Sequence, residues 1–371
     1  MIKKALIIGN TAGAGYRIKK SLDSVEIRNE FIISDNELDC ACDPTWENLQ
    51  AQNGVDFITF SKLLNESDLS SITKRNPASD VKNFIRIRSA CKKKEFDFGF
   101  AMGVWPILMN SLSIPYVWLC AGSDVREVLS GNSFLSMLLK RALKRCKGII
   151  TPADDNMLKI LRRYFPENKT LVFPNYPIDT DIYTPKASSN EQFTIYHPAR
   201  HLWYSKKDES KANDLLLKAV KRISTEHDVK IIMAEWGIDL AHSKQLISDL
   251  QMEHVVEWHG MVTKHKMIEY YQNADCVVDH VGWGMVSQTS LEGLACGKPT
   301  LANMSSSVKS LFPDIPVFSV ASEEDCYCAL KKLITDKKMY LQTCEISRAW
   351  IDSQWSVRAL GPKIKTFLNQ L

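Results

Sequence analysis

The chain has 371 residues, 45% of them apolar and 24% charged, with a formal net charge of +4. That length exceeds one typical core and implies two domains, and the balance of residue types excludes a disordered or fibrous chain. The mild basic excess makes no demand for nucleic acid, though it suits an anionic substrate or a membrane surface.

The ten cysteines include no C-x-x-C pair, and Cys40 and Cys42 are separated by one residue with no His cluster nearby. They read as reduced thiols, not as a disulfide framework or a zinc site. The N-terminal MIKKALIIGN is too short for a signal segment and runs into a Gly loop, so it reads as a first strand. No stretch approaches the roughly 20 apolar residues of a membrane span. The expected location is the cytoplasm or the inner face of the cell membrane.

Ala5 to Gly9 forms the predicted first strand, followed by the loop Gly9 to Gly15 and a helix through Leu22. The glycines fall as G-x-x-x-G-x-G, not as the dinucleotide fingerprint, so this is either a tight β–α turn or a ligand loop. Strand-like and helix-like pieces alternate to Lys94, among them a strand at Phe57 to Phe60 and a helix at Val81 to Cys91. Strands follow at Phe96 to Met102 and Tyr116 to Leu119, the latter ending in Gly122-Ser123-Asp124. A hydroxyl and a carboxylate at a carboxyl edge suit a ligand site, and Asp124 equally suits a helix N-cap.

Asn132 to Lys147 has helical periodicity. Its apolar stripe comprises Leu135, Leu138, Leu139, Ala142, Leu143 and Cys146, and five Lys and Arg residues crowd the other face. That pattern fits a core-facing helix with a solvated basic side, or one that docks on anionic lipid. Strands at Gly148 to Thr151 and Leu171 to Phe173 flank a helix at Asp154 to Phe165. Tyr176 to Gln192, rich in Pro, Asp, Thr and Ser without a period, reads as an interdomain linker.

A second α/β series begins at Phe193. Predicted strands are Phe193 to Tyr196, Val229 to Ala234, Val255 to Trp258, Cys276 to Val278 and Val317 to Val320, with helices between them. Ala274 to Asn303 runs strand, Gly282-Trp283-Gly284 loop, helix with Glu292, then Gly297-Lys298-Pro299 and a further strand. Such an arrangement can receive phosphate on free N–H groups and the positive helix end, or be an ordinary βαβ unit. Two series joined by one linker imply two Rossmann-like domains facing a cleft.

Several of these pieces resemble, in order, the retaining glycosyltransferases of family 4, a GT-B class using nucleotide-sugar donors. The matching pieces are PNYPIDTDIYTPK from Pro174, Arg200-His201-Leu202, KANDLLLKAV from Lys211, HVVEWHGMVTKHKMIEYYQNADCVV from His254, TSLEGLACGKPTL from Thr289 and Trp355-Ser356. The resemblance covers nearly all of residues 170–360 and adds GSDVRE in the N-terminal half. It implies residues 1–183 as an acceptor-binding domain, 184–345 as a donor-binding domain, and a helical segment 346–371 returning to the first.

By the same resemblance Arg200 and Lys211 flank the donor diphosphate as catalytic cations, with Asp124 at the catalytic edge. Glu292 accepts the ribose hydroxyls. Gly284, Met285, Val286, Ser287 and Thr289 hold the phosphates or sugar, and His259 and Gly237 border the base. Gly13, Ala14, Gly15 and Ser123 face the acceptor. No metal and no cofactor is expected beyond the nucleotide diphosphate sugar as co-substrate. No D-x-D stands at a strand end, and Asp179-Thr180-Asp181 reads as a turn.

Two departures stand out. The family's E-x7-E pair would put its first acid at Gly284, leaving Asp279 as the nearest upstream carboxylate. The Arg200 to Lys211 gap is long, which makes Lys206 or Lys207 alternatives to Lys211. The expected function is transfer of a sugar from a nucleotide diphosphate sugar to a glycan or lipid-linked acceptor in bacterial surface polysaccharide assembly. A GT-B nucleotide-sugar epimerase and an inactive GT-B scaffold are the alternatives.

Overall fold

Two parallel sheets, each built from one half of the strand–helix alternation, make up the chain. The computed structural model describes residues 2, 4–35, 43–47, 57–64, 77–205 and 210–371. Cys40, Cys42, Lys206 and Lys207 lie outside the described residues. One unit comprises residues 1–177 and 357–371, the other residues 178–356.

In the first unit the strands are β1 (Lys4–Ile8), β2 (Arg28–Ile33), β3 (Ile58–Thr59), β4 (Phe98–Met102), β5 (Tyr116–Leu119), β6 (Gly148–Pro152) and β7 (Thr170–Phe173). Their spatial order is β3-β2-β1-β4-β5-β6-β7, all pairs parallel. Helices cover both faces, so the central strands are apolar throughout instead of alternating. The core includes Leu6, Ile8, Ile32, Trp118, Leu139 and Ile149.

The helices of this unit are α1 (Ala14–Asp23), α2 (Pro44–Glu47), α3 (Phe60–Leu64), α4 (Pro77–Lys92), α5 (Pro106–Leu112), α6 (Phe134–Leu143) and α7 (Asp155–Leu161). Ser133 caps α6 by accepting the Ser136 N–H. Helix α6 is shorter than its periodicity predicts, and Leu135 of the predicted stripe is 42% exposed. It shares that exposure with Phe134 at 71% and Met137 at 57%, while Leu139, Ala142 and Leu143 face the core.

The second unit has β8 (Phe193–His197), β9 (Val229–Ala234), β10 (Val256–His259), β11 (Cys276–Val278), β12 (Thr300–Ala302) and β13 (Val317–Ser319), ordered β10-β9-β8-β11-β12-β13. All pairs are again parallel. Its helices are α8 (Asn213–Ser224), α9 (Leu240–Asp249), α10 (Lys264–Asn273), α11 (Gln288–Ala295), α12 (Ser306–Leu311), α13 (Glu323–Thr335) and α14 (Lys337–Trp350). Ile195, Leu216, Val220, Ile231, Val278 and Leu330 lie in its core.

The stretch predicted as a linker is in part firmly packed. Ile178 and Tyr183 are fully buried, and the Arg348 guanidinium donates to the carbonyls of Thr180 and Tyr183. The turn reading of Asp179 to Asp181 matches a hydrogen bond of 3.1 Å from the Asp181 N–H to Asp179 Oδ1.

The last helix, α15 (Val357–Gln370), belongs to the first unit. Its buried stripe of Val357, Leu360, Ile364 and Phe367 follows the helical period, and it packs against α1. Among the described residues no helix is long and apolar enough to cross a membrane.

Candidate active site

In the second sheet β8 pairs with β9 on one side and β11 on the other. The strand order therefore reverses there, and the loops leaving β8 and β11 flank a crevice at the carboxyl edge. The loop after β8 carries Arg200 and Lys211. The loop after β11 carries Gly284, Met285, Val286 and Ser287, and α11 carries Thr289 and Glu292.

Buried polar side chains fix the first loop. Asn213 accepts the Leu202 N–H at 3.1 Å and donates to His197 Nε2 at 2.9 Å. His197 Nε2 is thus the acceptor, and Nδ1–H donates to the Val278 carbonyl at 2.8 Å. Burial keeps this imidazole neutral by pushing its pKa down.

Asp239 accepts the backbone N–H groups of Trp203, Tyr204 and Ser205 and the Ser205 hydroxyl. Burial works to raise its pKa, but those donors outweigh it and hold it at about 2. Gly237 has φ +118, and a Cβ there would lie 2.4 Å from the His201 backbone N and O. It brings the β9 loop against the Arg200 loop, a close approach only glycine allows.

The second loop is anchored to the first. A Cβ on Gly282 would lie 2.4 Å from the Ser210 carbonyl, and the Val281 N–H donates to the Lys211 carbonyl at 3.0 Å. Lys211 Nζ stands 4.3 Å from the centre of the Trp283 ring, within cation–π range.

Asp279 is buried and accepts the Ser290 hydroxyl at 2.6 Å and the Ser287 N–H at 3.3 Å. Burial works to raise its carboxyl, but His280, Lys211 and these donors hold it below the ordinary range. Asp279 thus braces the start of α11. Gly284 packs against Ser305 and supplies no acid.

Glu292 is buried on α11, accepts the Tyr271 hydroxyl at 2.9 Å and lies 3.7 Å from Lys264 Nζ. Tyr271 packs edge-on to Tyr196, and His259 stacks on Tyr270 with centroids 4.4 Å apart. The predicted residues Arg200, Lys211, Gly284 to Ser287, Thr289 and Glu292 therefore share one carboxyl edge. Gly237 lies in the loop after β9 and His259 ends β10, on that same edge.

The remaining predicted residues are in the first unit. Gly13, Ala14 and Gly15 are buried at the start of α1 after β1. Ser123 is exposed beyond β5. Asp124 accepts the N–H groups of Ala121, Gly122 and Val125, so its carboxylate shapes its own turn. Burial is the chief influence on that carboxyl and raises its pKa.

Sequence reasoning passed over Tyr271, Lys264, Asn213 and His280. His280 left only its place two residues past the buried strand β11, and that its ring nitrogens lack partners shows only in the packed structure. Among the described residues no three His, Cys, Asp or Glu side chains are grouped as a metal site.

The sheet orders and their connections are those of the GT-B glycosyltransferase fold. An Anabaena protein, Alr3699/HepE in complex with UDP-glucose, is similar over 100% of this chain and 100% of its own, with TM-score 0.69 and 15% identity. Sucrose-phosphate synthase from Thermosynechococcus elongatus is similar over 99% of this chain and 98% of its own, with TM-score 0.65 and 11% identity. The lipopolysaccharide outer core galactosyltransferase WaaB, in its apo form, matches over 99% and 100%, with TM-score 0.62 and 12% identity. Residues 192–350, within the second unit, match the family model "Glycosyl transferases group 1". A comparison with curated proteins finds no match.

Proposed function

We propose that the chain is a retaining glycosyltransferase of family 4. It moves a hexose or related sugar from a nucleotide diphosphate sugar to a glycan or lipid-linked acceptor in bacterial surface polysaccharide assembly. The observation that supports this reading is that the loop with Arg200 and Lys211 leaves β8, and the loop leading into the helix of Glu292 leaves β11, on either side of the point where the strand order reverses. UDP and UDP-glucose in complexes of the similar Anabaena protein favour a uridine nucleotide.

In this reading the diphosphate lies on the N–H groups of Gly284 to Ser287, facing the positive end of α11. Arg200 grips it as a fork and Lys211 as a point charge, leaving Trp283 to do so. Glu292 accepts from the ribose diol, and Gly237 and His259 border the base. As the glycosidic bond breaks, negative charge grows on the leaving phosphate, where the two cations stabilise it without a metal ion. The same phosphate takes the acceptor's proton, so no enzymic nucleophile is needed and positioning supplies much of the rate.

The first unit holds the acceptor near Gly13 to Gly15 and Ser123, with Asp124 shaping the edge. Helix α6 rests on anionic lipid at the inner face of the cell membrane, through Phe134, Leu135 and Met137 and its cations. A second reading, an inactive GT-B binding protein, draws on the inward-turned Asp279 and on Gly284 where an acid is expected.

A thermal-shift screen over nucleotide sugars tests donor binding. Acceptor-dependent release of nucleotide then supports the transferase. Turnover without acceptor would indicate an epimerase, binding without turnover an inactive protein, and no binding would defeat the reading.

A further inference from the structure

His280 is fully buried at the carboxyl end of β11, and neither of its ring nitrogens has a hydrogen-bond partner. Its Nε2 lies 3.7 Å from Asp279 Oδ2, beyond hydrogen-bond reach, and its ring centre is 6.2 Å from that of Trp283. Leaving a buried polar group unpaired is costly, and both nitrogens of this ring are in that state. Such a group, buried two residues past a strand end and beside the Gly282-Trp283-Gly284 loop, calls for a ligand or another function.

We propose that His280 contacts the transferred sugar of the nucleotide-sugar donor. The inference rests on the donor-binding reading above. Its chemistry separates the sugar from the diphosphate. A neutral imidazole offers one N–H donor and one bare nitrogen acceptor. Sugar hydroxyls both donate and accept, so they satisfy both nitrogens, whereas phosphate oxygens only accept. In the donor-binding reading Arg200 and Lys211 already serve the phosphates.

The neutral form is secured by the surroundings. Burial pushes the His280 pKa down to about 4 against the pull of the Asp279 carboxylate, and Lys211 and His197 push the same way as burial. The Asp279 carboxylate is itself engaged by Ser287 and Ser290. His280 is thereby a polar side chain after β11 with unmet hydrogen-bonding capacity, seven residues before Ser287 caps α11.

The test is calorimetric titration of wild type, His280→Gln and His280→Leu. The probes are UDP, UDP-glucose, UDP-galactose, GDP and GDP-mannose. Comparing each sugar nucleotide with its own nucleoside diphosphate isolates the sugar's share of binding. The expected result is about tenfold weaker binding of the preferred sugar nucleotide by His280→Leu, with affinity for the bare diphosphate kept within twofold.

His280→Gln, which retains one donor and one acceptor, recovers part of the loss, and its melting temperature confirms folding should the Leu variant fail. Equal affinity of variants and wild type for the sugar nucleotide overturns the inference. So does parallel loss of diphosphate and sugar nucleotide, which marks a structural role. Wild type that binds diphosphate and sugar nucleotide equally well overturns the inference alone. Wild type that binds none of the probes overturns the donor-binding reading as well.

Discussion

The two sheets reverse their strand order at corresponding places, between β1 and β4 and between β8 and β11, yet their carboxyl edges carry opposite chemistry. At the first, polar groups turn back into their own loops. Asn10 Oδ1 accepts the Tyr16 N–H, and Asp124 accepts three N–H groups of its turn. At the second, Asn213, Asp239 and Asp279 do that bracing, Arg200 and Lys211 lie on the loop that Asn213 and Asp239 fix, and Glu292 and His280 are buried behind it. One topology yields a passive edge or a charged crevice according to which residues take the bracing positions. The proposed nucleotide diphosphate site belongs to the second.

Substitutions can break this contrast, the largest effect first. Lys211→Ala removes a charge placed beside the developing phosphate charge. It is expected to lower kcat/KM for transfer by about a hundredfold to a thousandfold, read by steady-state kinetics. A loss below threefold would put the phosphate role elsewhere. Glu292→Ala should weaken nucleotide binding about tenfold or more, since hydrogen bonds to charged groups contribute about 1.5–3 kcal/mol each. Calorimetry with UDP reads it, and unchanged affinity would remove Glu292 from the ribose.

Asp124→Asn sharpens the comparison from the passive side. It should destabilise the fold by about 1–3 kcal/mol, as the turn's N–H groups lose their charged acceptor. Donor affinity should stay within twofold. Chemical denaturation and titration check the two halves, and a donor defect without loss of stability would contradict the bracing role.

Acid should expose the buried imidazoles of the second unit. Burial holds His201 at about 3 and His280 at about 4, against an ordinary 6.5. The unfolded chain therefore binds protons that the folded chain refuses. Stability is complete above about pH 6.5 and falls as pH drops toward 4, by about 1.4 kcal/mol per pH unit for each ring. Melting temperatures from pH 7.5 to 4.5 should show this decline, with a shallower slope in His201→Gln. A flat profile would mean the rings are protonated in the folded state. The smallest effect is expected at α6, where Phe134→Ser with Met137→Ser should reduce co-sedimentation with anionic phosphatidylglycerol vesicles severalfold while leaving transfer to a soluble acceptor intact.

Much of the fold is legible because buried parallel strands advertise themselves. Tyr116–Leu119 and Cys276–Val278 are continuous apolar runs, and Val229–Ala234 is broken only by Lys230 near its start, so their boundaries follow directly. Strand β2 is harder to see, since it opens on Arg28-Asn29-Glu30 near the edge of its sheet. The segment at 178–183 lacks any period and so resembles a linker, although Arg348, distant in sequence, pins its carbonyls.

In the site, Arg200, Lys211 and Glu292 are readable from local motifs. His280 is not, because its significance lies in having no partner, which only the packed neighbourhood reveals. Asp239 is likewise silent in the sequence, since its work is done on residues 34 to 36 positions earlier.

The most direct measurement is calorimetric titration of the full chain and its Lys211→Ala variant with a panel of nucleotide sugars and their nucleoside diphosphates. A nucleotide diphosphate site in the second crevice predicts saturable binding by wild type and at least tenfold weaker binding by the variant. Absence of binding by folded wild type, or equal affinity of the two proteins, would contradict it.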